Sequence, residues 1–321
     1  MNATTNSKRQ AEQRTWPKWV DPEAVLRIEP LELRARIVVE GFQSGLHRSP
    51  YHGFSAEFSE YRSYSSGDDL RYLDWKLLAR TGRRFVKRFE DETNVRCHLL
   101  VDLSRSMAFG SERRPKIEYA VTLAATLATF LSTQHDAVGL VTFEEDVVEY
   151  IPARHRPGHL QHLLVALERS VSGADTRLAH ALDRVASLVR NRGIVVLITD
   201  ALAPLEGLDV ALGQLRARGQ EVILFRVLDP AEVDFPFERA SMFEDLETGR
   251  SFYVDPALER ERYRERFDEH QRALMRLCNE QGTDLVLWTT DRPLVECLIE
   301  YMQARMRRGR AVMRRAPGGR R

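Results

Sequence analysis

The chain has 321 residues, of which 43% are hydrophobic and 30% charged, with 48 lysines and arginines against 47 aspartates and glutamates. At roughly 150 residues per domain this length allows one or two domains, and the composition excludes a disulfide scaffold, a disordered chain and a polycation with a general attraction for nucleic acid. The near-neutral total hides an asymmetry: residues 305–321 hold eight arginines and no acid, leaving the preceding 304 residues with 40 basic and 47 acidic groups.

Residues 1–21 are polar, are expected to be disordered, and contain no apolar stretch of the secretory kind. Residues 22–94 read as a small N-terminal α+β region. In it a helix, EPLELRARIVVEGFQ, leads to an aromatic-rich piece broken by Ser-Ser-Gly-Asp-Asp, a helical period follows through Leu70, Leu73, Leu77 and Leu78, and RRFVKRFED alternates like a strand.

From Val95 the pattern becomes strand, helix, strand, helix. VRCHLLVDL is a nearly continuous apolar run, as expected of a strand covered on both faces. Pro115 suits a first helical position, and Ile117, Ala120, Ala124, Leu127 and Leu131 mark one helix face. Residues 119–135 carry no acid, lysine or arginine, yet fall short of the roughly 20 apolar residues of a membrane span. Thr122, Thr126, Thr129 and Thr133 give that helix a polar stripe, so it reads as a buried helix of a soluble domain. Then come AVGLVTF, an edge candidate at VVEYI, helices near 159–170 and 177–190, the buried strand GIVVLITD, the helix LEGLDVALGQLRARG and the strand EVILFRVLD. A hairpin insertion near 240–254 turns at Thr248-Gly249, before a charged helix, the strand DLVLWTT, a last helix and the basic tail 305–321. The fold class is α/β: a doubly wound, mostly parallel sheet flanked by helices over 95–304.

In such sheets ligands gather beyond the carboxyl ends of the strands. Asp102, Ser104 and Ser106 follow the first strand at a spacing of two, which lets an extended loop turn them to one side; Thr176 lies ahead of the third main strand and Asp200 at its end. Two carboxylates and three hydroxyls, with no imidazole or thiolate, favour a hard cation: Mg²⁺ first, then Mn²⁺ or Ca²⁺, with zinc disfavoured. Two carboxylates at most balance one divalent ion, so the metal would stay electrophilic toward an outside carboxylate.

These residues resemble the metal-ion-dependent adhesion site of the von Willebrand factor A fold, whose pattern is Asp-x-Ser-x-Ser, then Thr, then Asp. The resemblance implies metal ligation by Asp102, Ser104, Ser106, Thr176 and Asp200. Upstream, EFSEYRSYSSGDDLRYLDWKLLARTGRRFVKRFEDE resembles the bacterial domain of unknown function fifty-eight family, with its motif on Arg62, Tyr64, Gly67, Asp68, Asp69, Arg71, Asp74, Trp75 and Arg80. That resemblance implies a protein partner, a MoxR-type AAA+ ATPase or its client.

The remaining signals are weaker. The Arg62–Arg80 motif is also readable as a salt-bridge and turn network. His155, His159 and His162 lack the HExxH order and read as solvated. Cys97, Cys278 and Cys297 are too far apart for paired zinc ligands and suit a reducing cytoplasm, the expected location. The basic tail is a frayed solubilising segment or a contact for anionic surfaces, with no specific nucleic acid expected. GxGxxG, GxxxxGK[ST] and GxSxG are all missing, so a non-enzymatic interaction module is expected. The alternatives are a metal-dependent phosphohydrolase centred on Asp102 and Asp200, and a metal-free scaffold.

Overall fold

Strand β3 (Arg96–Asp102) forms the middle of a six-stranded sheet, and its side chains divide between two apolar layers. Cys97, Leu99 and Val101 enter one layer and Leu100 the other, the period-two alternation of a strand covered on both faces. The computed structural model describes residues 30–47, 61–63, 85–87, 95–111, 114–168, 178–246 and 249–315.

The other strands of this sheet are β4 (Ala137–Phe143), β5 (Val147–Arg154), β6 (Gly193–Thr199), β7 (Gln220–Leu228) and β10 (Asp284–Thr289), in the spatial order β10-β7-β6-β3-β4-β5. All neighbours are parallel except β4 and β5, which pair antiparallel at one edge. The expected α/β, doubly wound and mostly parallel sheet is therefore present. Its order places β4 on one side of β3 and β6 on the other, so the switch point of the winding falls between β3 and β6.

Helices α2 (Lys116–Thr133), α3 (His159–Leu167) and α8 (Leu294–Arg315) bury their apolar stripes on one face of the sheet. Helices α4 (Leu178–Leu188), α5 (Leu208–Ala217) and α7 (Pro256–Glu280) cover the other. Helix α1 (Leu31–His47) joins the first of these cores through Leu31, Ala35, Val38 and Phe42 and packs on α2, where Phe42 meets Phe130 edge-on at 5.2 Å.

That extra layer alters the reading of the threonine stripe. With α2 enclosed by the sheet, α1 and α3, Thr122 and Thr126 are buried, and their hydroxyls donate to the carbonyls of Glu118 and Thr122 at 2.6 and 2.7 Å. A threonine can enter an apolar layer when its hydroxyl is returned to the preceding turn. Thr133, at the helix end, is exposed.

Strand β1 (Tyr61–Ser63) pairs antiparallel with β2 (Phe85–Lys87), and β8 (Ser241–Glu244) with β9 (Ser251–Val254). Helix α8 continues to Arg315, through the first part of the basic segment. Arg305 is paired with Glu221 and Asp284 at the starts of β7 and β10 rather than frayed. Among the described residues no helix is long and apolar enough to cross a membrane.

Candidate functional site at the carboxyl edge

Parallel pairing in register, with Val101 opposite Ile198 and Thr199 opposite Arg226, brings the carboxyl ends of β3, β6 and β7 to one edge. Asp102 ends β3 fully buried. Its Oδ1 accepts the Ser104 amide at 2.9 Å and its Oδ2 accepts the Thr199 hydroxyl at 2.6 Å. The chain then closes a short 3-10 turn at Arg105–Ala108, anchored by the buried Met107, whose amide donates to the Ser104 carbonyl at 3.1 Å. This turn puts the hydroxyl oxygens of buried Ser104 and half-buried Ser106 3.1 Å apart.

Asp200 follows Thr199 and is also buried. Its Oδ1 accepts the Leu202 amide at 3.1 Å, and its Oδ2 accepts the ammonium of Lys116 at 2.7 Å. Lys116 opens α2 after Pro115; its side chain is fully buried, and Nζ donates a second time, to Glu232 Oε1, at 2.6 Å. Glu232 is held by a capping box on the short helix α6 (Pro230–Asp234), where its Oε2 accepts the Asp229 amide at 2.8 Å and Asp229 Oδ1 accepts the Ala231 amide at 2.8 Å. Asp229 also accepts both the amide and the hydroxyl of Ser111, tying the loop after Ser106 to α6. From below, the buried Arg226 donates Nε–H to the Asp200 carbonyl at 2.8 Å, donates to Gln271 on α7, and lies over the Phe267 ring at 5.4 Å.

The electrostatics follow from burial. Loss of water and then the nearby Asp200 charge push the Asp102 carboxyl up to about 6, against the bonds from Thr199 and Ser104. Burial would lower the Lys116 ammonium, but Asp200 and Glu232 outweigh it and hold it above its ordinary value. Burial raises Glu232, and Lys116 offsets part of that rise; burial lowers Arg226. Among the described residues no group of three or more His, Cys, Asp or Glu side chains is arranged to hold a metal ion, so any cation site here depends on hydroxyls.

Of the five residues singled out in the sequence, Asp102, Ser104 and Ser106 form one turn, and Asp200 joins it through its neighbour Thr199. Thr176 lies outside the described residues, as do Tyr64, Gly67, Asp68, Asp69, Arg71, Asp74, Trp75 and Arg80; Arg62 lies in the backbone pairing of β1 with β2. The sequence reading missed Lys116, Asp229, Glu232 and Ser111. The Asp229-Pro230-Ala231-Glu232 capping pattern was locally readable, whereas Lys116 looks like any lysine at a helix start.

The histidines do not gather. His162 is exposed, and His155 is exposed beside His135, with ring centroids 5.1 Å apart. His159 is not solvated but buried, with Nε2 at 2.7 Å from the Val138 carbonyl. All three cysteines are buried and free, and burial pushes the Cys97 thiol up to about 12, as suits an inert packing residue.

A mostly parallel, doubly wound sheet with one antiparallel edge and a carboxylate–hydroxyl turn at its switch point defines the class as α/β. Within that class, the family model described as "Protein of unknown function DUF58" matches residues 60–275, well over half of the chain, and the chain belongs to that family. The uncharacterized protein Rv1480 of Mycobacterium tuberculosis is 29% identical over 293 residues, covering 89% of this chain and 91% of the relative. Among solved structures, the conserved hypothetical protein BatB from Bacteroides thetaiotaomicron is similar at TM-score 0.47 and 16% identity, over 66% of this chain and 99% of that one. The VWA domain of SpRpn10 is similar at TM-score 0.38 and 9% identity, over 65% and 95% of the two chains.

Proposed function

We propose that this chain is a non-enzymatic, cytoplasmic protein-interaction module that uses a Mg²⁺-type cation at the β3–β6 switch point to take an acidic side chain of a partner. The observation that carries this reading is the turn in which Ser104 and Ser106 present hydroxyl oxygens 3.1 Å apart beside the buried Asp102. That spacing also suits two neighbouring oxygen donors to a magnesium-sized ion, for which the hydrogen bond between the two hydroxyls would give way. Asp102 and the two serines would hold the ion, with Asp200 behind them and Thr176 as the further donor that the resemblance implies. The bound ion would supply a positive centre for a carboxylate. The chain's own part is to hold the hydroxyls in place through Met107, and to keep Asp102 oriented through Thr199 and the Ser104 amide.

The family resemblance points to a MoxR-type AAA+ ATPase as the partner, and the acidic group to be captured belongs to that ATPase or its client. Calorimetric titration with Mn²⁺ or Mg²⁺ tests the site: wild type should bind one ion, and Asp102→Ala and Ser104→Ala should not. Absence of binding by wild type, both alone and with the co-expressed ATPase, would overturn the reading. Hydrolysis of generic phosphate esters in Mg²⁺, lost in Asp102→Asn, would replace it with the phosphohydrolase. Partner capture that persists in chelator would replace it with the metal-free scaffold.

A further inference from the structure

The buried lysine is the part of this edge that the adhesion-site pattern does not contain. Lys116 Nζ sits between Asp200 Oδ2 and Glu232 Oε1 at 2.7 and 2.6 Å, with its side chain fully buried. A lysine is seldom buried in this way unless paired, because removing an ammonium from water is expensive. Here it is an internal cation bonded to Asp200, one of the two carboxylates assigned to the proposed cation site.

The charges at the edge divide accordingly. Asp200 and Glu232 share the Lys116 ammonium, and the Arg226 guanidinium lies against the Asp200 main chain. Asp229 commits its oxygens to Ser111 and the first turn of α6. Asp102 is left as the carboxylate whose bonds all come from neutral groups, the Ser104 amide and the Thr199 hydroxyl.

We propose that Lys116 is a specificity-determining positioning residue: by donating to Asp200 it offsets that carboxylate's charge and leaves Asp102 as the carboxylate with no cation bonded to it, so that the loaded site is more positive, and more attractive to an acidic partner group, than it would be without the lysine. The inference rests on the metal reading above and deepens it. Without the lysine, Asp102 and Asp200 together would neutralise a divalent ion, giving tighter metal retention and weaker attraction for an outside carboxylate. Lys116 thus exchanges metal affinity for selectivity toward anionic ligands. Glu232 has the opposite influence, because it draws the ammonium away from Asp200 and holds part of its charge.

The test uses the full chain, with Mn²⁺ titrated by calorimetry and acetate as the carboxylate probe, detected by Mn²⁺-induced broadening of its methyl resonance. Lys116→Gln should bind Mn²⁺ about tenfold tighter and, once loaded, bind acetate about tenfold more weakly. Glu232→Gln should shift both affinities the other way. This second variant keeps the lysine and removes only the less buried partner, so it tests the claim independently if Lys116→Gln folds poorly, a point that circular dichroism decides. Wild type that binds Mn²⁺ with no change in either variant, or with both variants shifted in the same direction, overturns the role given to Lys116. Wild type that binds no Mn²⁺ overturns the metal reading itself.

Discussion

Around Asp102 the carboxyl edge is built from neutral donors, whereas around Asp200 it is built from opposed charges. The first half consists of an amide, three hydroxyls and one carboxylate raised by burial to about 6. The second holds a lysine between two carboxylates, an arginine beneath them and a capping box at its rim. Both halves are buried and hydrogen-bonded, but only the second supplies its own counter-charge. On the proposed reading, it is the neutral half that would take a ligand.

Removing the internal cation breaks this contrast most directly. Lys116→Met leaves Asp200 and Glu232 buried without their ammonium and should lower stability by about 3–5 kcal/mol, read from the urea midpoint at constant m-value. A loss below about 1 kcal/mol would mean that water replaces the lysine. Adding Asp200→Asn and Glu232→Gln to the same chain should return a large part of the loss, since the penalty belongs to the stranded charges and not to the missing side chain.

The body of the sheet, where no counter-charge is provided, sharpens the contrast. His98 lies mid-strand in β3, buried, with Nδ1 unpartnered; burial and then Arg96 push its imidazolium down to about 4. The unfolded chain takes up that proton near pH 6.5, so stability is lost as pH falls from about 6.5 to 4, by at most about 3 kcal/mol from this group. Thermal unfolding of wild type against His98→Asn over that range isolates the term, and parallel curves would remove it. A somewhat smaller effect belongs to the neutral half. Mg²⁺ at a hundred times its dissociation constant should stabilise wild type by about 2.7 kcal/mol, and Ser104→Ala should abolish that gain without changing the metal-free melting curve by a comparable amount.

The two halves also differ in how far the sequence revealed them. Asp102, Ser104 and Ser106 stood out because they follow a nearly continuous apolar run, and Asp200 because it ends another such run; the extended loop expected after Asp102 is instead a 3-10 turn over Arg105–Ala108, and it is this turn, not strand period, that brings Ser106 to Ser104. Lys116 was illegible because its partners lie 84 and 116 positions further along the chain, and no local pattern separates a lysine that turns inward from one that stays in water. Glu232 was half legible: its capping role is written in Asp229-Pro230-Ala231-Glu232, but its ion pair is not. The burial of Thr122, Thr126 and His159 was missed for the same reason. The two threonine hydroxyls and the His159 Nε2 each meet a backbone carbonyl, a solution that leaves no trace in hydropathy.

The smallest expected effect concerns the joint between the halves. Ser111 donates its amide and its hydroxyl to Asp229, so the loop that follows Ser106 is fastened to the rim of the charged half by one side chain. Ser111→Ala removes the hydroxyl bond and keeps the amide, and should cost about 1 kcal/mol in urea unfolding. If the halves act independently, Mn²⁺ affinity in this variant should stay within about threefold of wild type, because Met107 still pins the turn carrying Ser104 and Ser106. A tenfold loss of affinity would show instead that the capping box of α6 sets the hydroxyl geometry, and that the two halves form one mechanical unit.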